Sequence, residues 1–171
     1  MVRGLARKNL QKAFMKLGFD QDVTSEPSQL DQNVSKLFRH LGNFEWNHIQ
    51  ATEYKTDDGS FQGVSRRVFV GEKGESPLFH TRYFEVAEGG YTTLEQHQHE
   101  HVVIVMRGEG VGLVGQRKVK LAFGDVLYVA PDEVHQLSNS GPEPFGFLCI
   151  VNAQRDRPRP VNPDWSSACE L

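Results

Sequence analysis

The sequence predicts an all-β fold, an antiparallel β-barrel or jelly roll, with short helices at the N-terminus. From Trp46 onward, apolar and β-branched segments of a few residues are separated by turns about every ten residues, as in short antiparallel strands. The 16 glycines and 8 prolines suit many turns, and no convincing helical spacing follows residue 45. We therefore expect a helical extension at 1–45, a barrel at 46–155 and a C-terminal tail at 156–171.

Two short amphipathic helices are expected before the barrel. Apolar residues at helical spacing span 10–17, and Gly18 follows as a C-terminal cap. A second set of apolar residues at helical spacing runs from Leu30 to Leu41, after a capping box at 28–31. Two such helices cannot form a core of their own, so we expect them to pack on the barrel.

The strands of the barrel are expected between clusters of turn residues. In chain order they are 46–54, 63–70, 79–86, 102–106, 111–114, 118–121, 124–130, 135–139 and 145–151. Val102 to Met106 is apolar on both faces, which predicts a strand covered on both sides. Either the N-terminal helices or a second subunit would provide that cover, and we expect a homodimer.

Composition excludes several classes of partner. A net charge of −3 and the absence of any basic run argue against nucleic acid and favour a small-molecule partner. The longest apolar runs, Val102 to Met106 and Phe145 to Val151, are too short to span a bilayer, so we expect a cytoplasmic protein and no membrane partner. Two cysteines argue against a disulfide framework, and Cys149 is interpreted as a small core residue.

Candidate metal ligands are concentrated in one short segment. Three of the seven histidines and two glutamates lie between Glu95 and His101. In an extended strand Glu95 and His97 point the same way, and His101 can rejoin them from a returning strand. A fourth group, His135, follows a Gly-Asp turn, a short strand and a proline-containing corner. The sequence thus predicts four side chains that converge on one metal ion.

These two segments resemble the two sequence motifs of the cupin superfamily. The first family motif is Gly, five residues, His, one, His, three or four, Glu, six, Gly. The first segment fits that frame with Glu and His exchanged, at Gly89, Glu95, His97, His101 and Gly108. In the second motif His135 and Asn139 match, whereas Ala130 and Asp132 replace its proline and second glycine. The resemblance covers about 46–155 and implies a single-domain cupin.

A second frame is possible in the first motif. His97 and His99 can be taken as the His-x-His pair, but Val103 and Ile104 then stand where the next ligand belongs. That frame also gives His101 no role. We therefore prefer Glu95 with the three histidines and place His99 in the turn, as the substitute if Glu95 does not bind.

The resemblance implies one divalent metal ion in a cavity of the barrel. Imidazole and carboxylate ligands suit Fe, Zn, Mn, Ni or Cu, and four protein ligands leave two octahedral positions for a guest. A three-His, one-Glu set is similar to that of cupin dioxygenases, so we expect a metal-dependent enzyme, a dioxygenase-like oxidoreductase or an isomerase, that acts on a small polar metabolite. The alternatives are a non-catalytic cupin that binds metal or a small ligand, for sensing or storage, and a metal-free cupin.

Further residues on or beside the expected strands are candidates for contact with a substrate. Arg82, Tyr83 and Tyr128 are assigned to substrate binding, and Arg82 would anchor a carboxylate if it points inward. His80 and Cys149 are the remaining polar candidates. The structural alternative for Arg82 is a surface residue on an edge strand.

Overall fold

A computed structural model of the chain describes residues 35–56, 58–72 and 78–162. The described part is all-β. Its strands are β1 (His40–Gly42), β2 (Glu45–Trp46), β3 (Thr52–Glu53), β4 (Gln62–Val70), β5 (Phe79–Tyr91), β6 (Glu95–Gln96), β7 (His101–Arg107), β8 (Glu109–Val114), β9 (Arg117–Ala122), β10 (Val126–Val129), β11 (His135–Ser138), β12 (Phe145–Asn152) and β13 (Arg159–Pro160). No helix in this part of the chain is long and apolar enough to cross a membrane.

Eleven of these strands form one curled antiparallel sheet, and β1 and β2 form a separate hairpin. The main path of the sheet is β10-β7-β12-β5-β11-β6-β13, with β3 and β4 joined to β5 and with β8 and β9 joined to β11. Strand β11 pairs with β5, β6 and β8, so it joins the strands before and after His97 and His101 to one another. The all-β antiparallel architecture predicted from the sequence is confirmed.

Side chains alternate between two faces of the sheet. The inner face of β4 and β5 carries Arg66, Arg82 and Phe84, and the outer face carries Arg67 and Tyr83. The main core cluster lies on the inner side and comprises Val64, Phe84, Val86, Val103, Val105, Leu121, Leu137, Phe145, Phe147, Cys149 and Val151. Burying each of the larger side chains stabilises the fold by about 1.5–3 kcal/mol, so this cluster fixes the positions of the strands that carry the site.

The expected strands agree with the observed ones apart from three main differences. The segment 46–54, expected as one strand, is divided into β2 and β3 by a turn in which His48 has a φ of 61°. Strand β5 extends to Tyr91, five residues beyond its expected end at Val86, and pairs there with β11. Strand β13 lies in the segment assigned to the tail and pairs with β6.

The second predicted helix is wrong over its described part. Residues 35–39 have no regular structure, and His40–Gly42 is a strand. Phe38 instead packs edge-on against Phe69, with ring centroids 5.5 Å apart, and Trp46 contacts the same ring at 4.9 Å. Aromatic packing on the outer face of the sheet therefore overrides the local helical pattern. The rest of that helix and all of the first lie outside the described residues.

Two motif residues shape turns. Gly108 has a φ of 62°, and a Cβ there would lie 2.4 Å from the Pro144 carbonyl oxygen, so only glycine fits. Asn139 donates through Nδ2 to the carbonyls of Val86 and Glu143 at 3.0 and 2.9 Å, and its Oδ1 accepts from Gly141 N at 2.8 Å. These residues hold the loops around the barrel in place.

Candidate metal centre

Three histidines from different parts of the sheet meet at one point. The loop after β6 provides His97, the start of β7 provides His101, and the start of β11 provides His135. One potential ligand atom from each lies within 4.8 Å of those of the other two, and the ring centroids are 4.7–4.9 Å apart. His97 and His135 are buried, and His101 is partly buried. Three imidazoles at this spacing can hold one metal ion.

The outer nitrogen of each imidazole has a partner that orients the ring. The Nδ1 of His97 lies 2.7 Å from the His99 carbonyl oxygen, and the Nδ1 of His135 lies 2.8 Å from the Glu133 carbonyl oxygen. A carbonyl oxygen can only accept, so both Nδ1 atoms carry the hydrogen and both Nε2 atoms have a free lone pair. This arrangement is usual for histidines that bind a metal through Nε2.

The Nδ1 of His101, the third histidine, contacts a sulfur atom. This Nδ1 lies 3.4 Å from Cys149 Sγ, and the Nε2 of His101 lies 3.2 Å from the Nε2 of His135. When His101 carries its hydrogen on Nδ1, two Nε2 lone pairs face each other, and a cation between them removes that repulsion. The donor set therefore fits a divalent metal of the borderline class, such as Fe, Zn, Mn, Ni or Cu.

The surroundings keep these imidazoles neutral. Burial, reinforced by the neighbouring His135, lowers the pKa of His97 to about 4. Burial and the same neighbour lower the pKa of His101 to about 2, and burial also lowers the pKa of His135. A neutral imidazole is the form that binds metal, so the site is ready for a cation at neutral pH without releasing protons from these rings.

Glu95 lies beside the histidines but has another partner. It is buried, pairs with His135 in the register of β6 and β11, and forms an ion pair with Lys55. Lys55 Nζ also donates to Thr93 Oγ1 at 3.2 Å. Among the described residues, the set of ligand atoms within 4.8 Å of one another contains the three histidines and not the Glu95 carboxylate. A role for Glu95 as the fourth ligand stays a prediction.

His99 packs against His97 but does not belong to the group formed by the other three histidines. Its ring stacks on His97 with centroids 3.6 Å apart, and its Nδ1 lies 2.8 Å from Asp156 Oδ1. Asp156 also accepts from the backbone nitrogens of Gln98 and His99 at 2.9 and 3.2 Å. The bond from the Gln98 backbone, followed by that from His99, lowers the pKa of Asp156, so its carboxylate is charged and holds the loop.

Two of the predicted substrate residues lie away from the histidines. Tyr83 is on the outer face of β5, where its ring stacks on Phe44 at 5.5 Å and its hydroxyl donates to Glu85 at 2.9 Å. The Tyr128 side chain is exposed on β10, and its hydroxyl donates to Glu100. Within the described part of the chain, neither tyrosine has a hydrogen bond or ring contact with the three histidines.

The remaining candidates lie on the inner face of the sheet, and Arg82 and Cys149 are the two that lie close to His101. Arg82 Nη2 is 3.5 Å from Cys149 Sγ, the same sulfur that His101 contacts. The Cys149 thiol is buried, and this burial raises its pKa, so it is neutral. His80 lies farther along β5, with its Nδ1 3.2 Å from Arg155 Nη1. The inward direction of Arg82, on which its predicted anchoring role depends, is thus observed.

Sequence reasoning missed Lys55 and Asp156. Lys55 lies 40 positions before Glu95, and Asp156 lies 57 positions after His99, so no local pattern connects them. Asp156 stands in the Arg-Asp-Arg-Pro-Arg-Pro segment that was assigned to the tail boundary. An acidic residue isolated among three arginines was the available signal. Lys55 gave none.

A curled antiparallel sheet with three histidines on adjacent strands and loops is the arrangement of a cupin, and this chain belongs to the cupin family. The family described as cupin domain matches residues 82–151. That range includes β5 to β12 and all three histidines of the candidate site.

Individual relatives cover more of the chain. The 1-methylthio-D-xylulose 5-phosphate methylsulfurylase of Rhodospirillum rubrum is 35% identical over 131 residues, which are 75% of this chain and 83% of that protein. A cupin 2 conserved barrel domain protein from Rhodopseudomonas palustris is 40% identical, with a TM-score of 0.68 over 75% of this chain and 88% of its own. A cupin 2 domain-containing protein from Halorhodospira halophila is 38% identical, with a TM-score of 0.58 over 79% of this chain and 90% of its own.

Proposed function

We propose that this protein is a metal-dependent enzyme that removes the methylthio group from a phosphorylated ketose of the 1-methylthioxylulose 5-phosphate type. The observation that carries the proposal is the convergence of His97, His101 and His135, each with its Nδ1 held by another group. The named substrate class comes from the 35% identical relative. Burial lowers the pKa of all three rings and so keeps them in the neutral form that binds a metal.

The chemistry of such a ketose calls for stabilisation of negative charge on oxygen. The methylthio group is on the carbon next to the ketone. Attack of a thiolate on that sulfur forms a disulfide, breaks the carbon–sulfur bond and leaves its electron pair on the carbon as an enolate. A proton then converts the enolate into a methyl ketone. The co-substrate is therefore a small thiol, and no other oxidant or reductant is needed.

A divalent ion held by the three histidines supplies a Lewis acid for the oxygens of the ketose. The protein's own groups have two further tasks in this scheme. The buried imidazoles and apolar core residues exclude water from the reacting carbon. Lys55, held by Glu95 and Thr93 beside His135, carries on Nζ the proton for the carbon that loses sulfur.

The dioxygenase and ligand-binding interpretations stay predictions. A dioxygenase would consume molecular oxygen with the same metal site, and a binding cupin would capture the ketose without turnover. The proposed reaction needs neither oxygen nor a change in metal oxidation state, so the three are separable in one experiment.

The test is turnover of 1-methylthio-D-xylulose 5-phosphate by protein stripped of metal and reloaded separately with Mn, Fe, Ni, Zn or Cu. With a small thiol and without oxygen, we expect the methyl ketone and a methyl disulfide in equal amounts by mass spectrometry. His135→Ala should be inactive at every metal, and Lys55→Met should retain metal but lose about 10²-fold in kcat, as for a lost general acid. Absence of turnover with all five metals in the wild-type protein, or turnover that requires oxygen, contradicts the proposal.

A further inference from the structure

We propose that Arg66, Arg82 and Arg155 form a phosphate-binding subsite on the inner side of the barrel, next to the candidate metal centre. This inference rests on the proposed function and deepens it, because it assigns the part of the protein that recognises the phosphate end of the ketose. It can nevertheless be tested without turnover.

The three arginines are brought together by the sheet. Arg66 on β4 and Arg82 on β5 lie on the inner face of paired strands, where Arg66 is opposite Phe84 and Arg82 is opposite Val68. Arg155 follows β12, the other neighbour of β5, and its guanidinium reaches His80. Burial, and after it the positive charges of Arg82 and Arg66, lowers the pKa of Arg155, which agrees with this placement by the strands.

These guanidinium groups have few partners. The Nε atoms of Arg66 and Arg82 are buried and make no hydrogen bond. Arg82 contacts Cys149 Sγ at 3.5 Å and lies over the Phe84 ring at 5.2 Å, and both are neutral groups. Buried N–H donors without an acceptor are costly, and a planar guanidinium fork matches the oxygens of a phosphate.

Few carboxylates form ion pairs with the three arginines. Among the ion pairs of the described residues, Arg66 is paired with Glu72 at a loose 3.7 Å, and Arg82 and Arg155 are paired with no carboxylate. Arg155 is held instead by the carbonyls of Asn152 and Ala153, at 2.9 and 3.3 Å. These bonds orient the Arg155 guanidinium group but do not neutralise its positive charge. Three cations with about one weak acidic partner favour a ligand with two negative charges, such as a phosphate monoester.

The cluster is placed correctly for one ligand to reach both ends. Cys149 Sγ contacts Arg82 on one side and His101 on the other, at 3.5 and 3.4 Å. A phosphate bound to the arginines and a ketone at the histidines would thus be separated by roughly the width of the Cys149 side chain and its contacts with Arg82 and His101. A five-carbon sugar phosphate bridges such a gap, whereas inorganic phosphate fills only the arginine end.

The experiment compares the binding of D-xylulose 5-phosphate, D-xylulose and inorganic phosphate by titration calorimetry with metal-loaded protein. Neither sugar carries a methylthio group, so no turnover is involved. We expect the phosphorylated sugar to bind at least about 100-fold more tightly than D-xylulose, which is the effect of two or three charged hydrogen bonds. Inorganic phosphate should bind more weakly than the sugar phosphate and compete with it.

Variants assign the effect to the cluster. Arg82→Gln and Arg155→Gln should each weaken D-xylulose 5-phosphate binding by about tenfold or more and leave D-xylulose binding unchanged. Arg82→Lys should recover part of the loss because it keeps the charge. Arg39→Gln, at an exposed arginine with its side chain outside the cluster, should bind as the wild type does. Arg155 is also exposed, so its variant serves if Arg82→Gln does not fold.

The outcomes separate the two proposals. Equal binding of D-xylulose and its phosphate, or full binding by both glutamine variants, overturns the subsite. Arginine-dependent binding of the sugar phosphate without turnover of the methylthio substrate supports the subsite and overturns the proposed reaction. Turnover that is equally fast with and without the phosphate group supports the reaction and overturns the subsite.

Discussion

Arginines on the two faces of the β4–β5 pair differ in their partners. On the outer face, buried Arg67 pairs with Glu45, and Arg107 pairs with Glu85 at 3.0 Å. On the inner side, Arg82 and Arg155 have no carboxylate partner among the described residues. On this strand pair, Arg67 on the outer face has a close carboxylate partner, whereas on the inner face Arg66 has Glu72 at 3.7 Å and Arg82 has none among the described residues.

This difference distinguishes arginines whose ion pairs stabilise the fold from arginines whose charge is available to a ligand. A paired buried arginine stabilises the structure only together with its acid, and removal of either partner leaves the other uncompensated. An unpaired one adds repulsion in the free protein and is retained where a ligand offsets it. The histidine site follows the same rule: with His101 protonated on Nδ1, the Nε2 lone pairs of His101 and His135 face each other at 3.2 Å, and a cation between them offsets the repulsion.

The largest effect is expected at the histidines. His97→Ala and His135→Ala should each reduce metal affinity by more than about 100-fold, since each removes a direct ligand rather than an outer partner. Elemental analysis and competition with a chelator measure the loss, and His48→Ala, at an exposed histidine outside the site, is the matched control. His99→Ala should have a smaller effect; equal losses for His97, His99 and His135 would contradict the assigned set.

A second prediction concerns Cys149 Sγ, which lies between the arginine cluster and the three histidines. Cys149→Ala removes the partner of His101 Nδ1 and a contact of Arg82, so we expect metal affinity to fall about tenfold, as for an outer-shell partner. Cys149→Ser, which keeps a hydrogen-bonding group, should fall less. A variant with unchanged metal affinity and unchanged D-xylulose 5-phosphate binding would show that the sulfur contacts are packing alone.

The third prediction tests the two faces by stability. Glu45→Ala leaves the buried Arg67 guanidinium without its carboxylate and should lower the free energy of unfolding by about 1–3 kcal/mol, measured by urea denaturation. Arg82→Met keeps the apolar stem and removes an unpaired charge, so its free energy of unfolding should stay within about 1 kcal/mol of the wild type. If Arg82→Met is the more destabilised of the two, the inner arginine has a structural role and the comparison fails.

The smallest effect is expected at Asp156. Asp156→Asn keeps one acceptor oxygen but loses the charge that attracts the Gln98 and His99 donors, so the loop before His101 should become more mobile. Hydrogen exchange of the Gln98 and His99 amides should accelerate by about tenfold, and metal affinity should fall less than in Cys149→Ala. Unchanged exchange would show that other contacts hold the loop.

The sequence predicted the inner strands because their pattern and their packing agree. Val103 and Val105 alternate with half-buried residues along β7, and the observed pairing with β12 buries both of them. His97, His101 and His135 were predicted together because the spacing of two motifs fixes them relative to that barrel. The same spacing placed Glu95 in the set, but the observed ion pair with Lys55 depends on a residue 40 positions away.

The parts that were missed depend on contacts between distant segments. A helical pattern ending at Leu41 is overridden by packing of Phe38 and Trp46 on Phe69, which no local window contains. The pairing of Arg159 with Gln96 likewise joins two strands of two residues each, too short to carry a pattern. The arginine cluster was visible only as Arg82, because its other members come from β4 and from the segment after β12.

Arg155 and Asp156 are consecutive in the chain, yet one reaches towards His80 and the other fastens the loop that carries His97 and His99. A guest that immobilised the first of these residues would restrain the second through a single peptide unit. Binding of an anion at the arginines would then restrain the loop that carries His97 and His99 without any change in the barrel. Binding of one end of a substrate would thus favour binding of the other end.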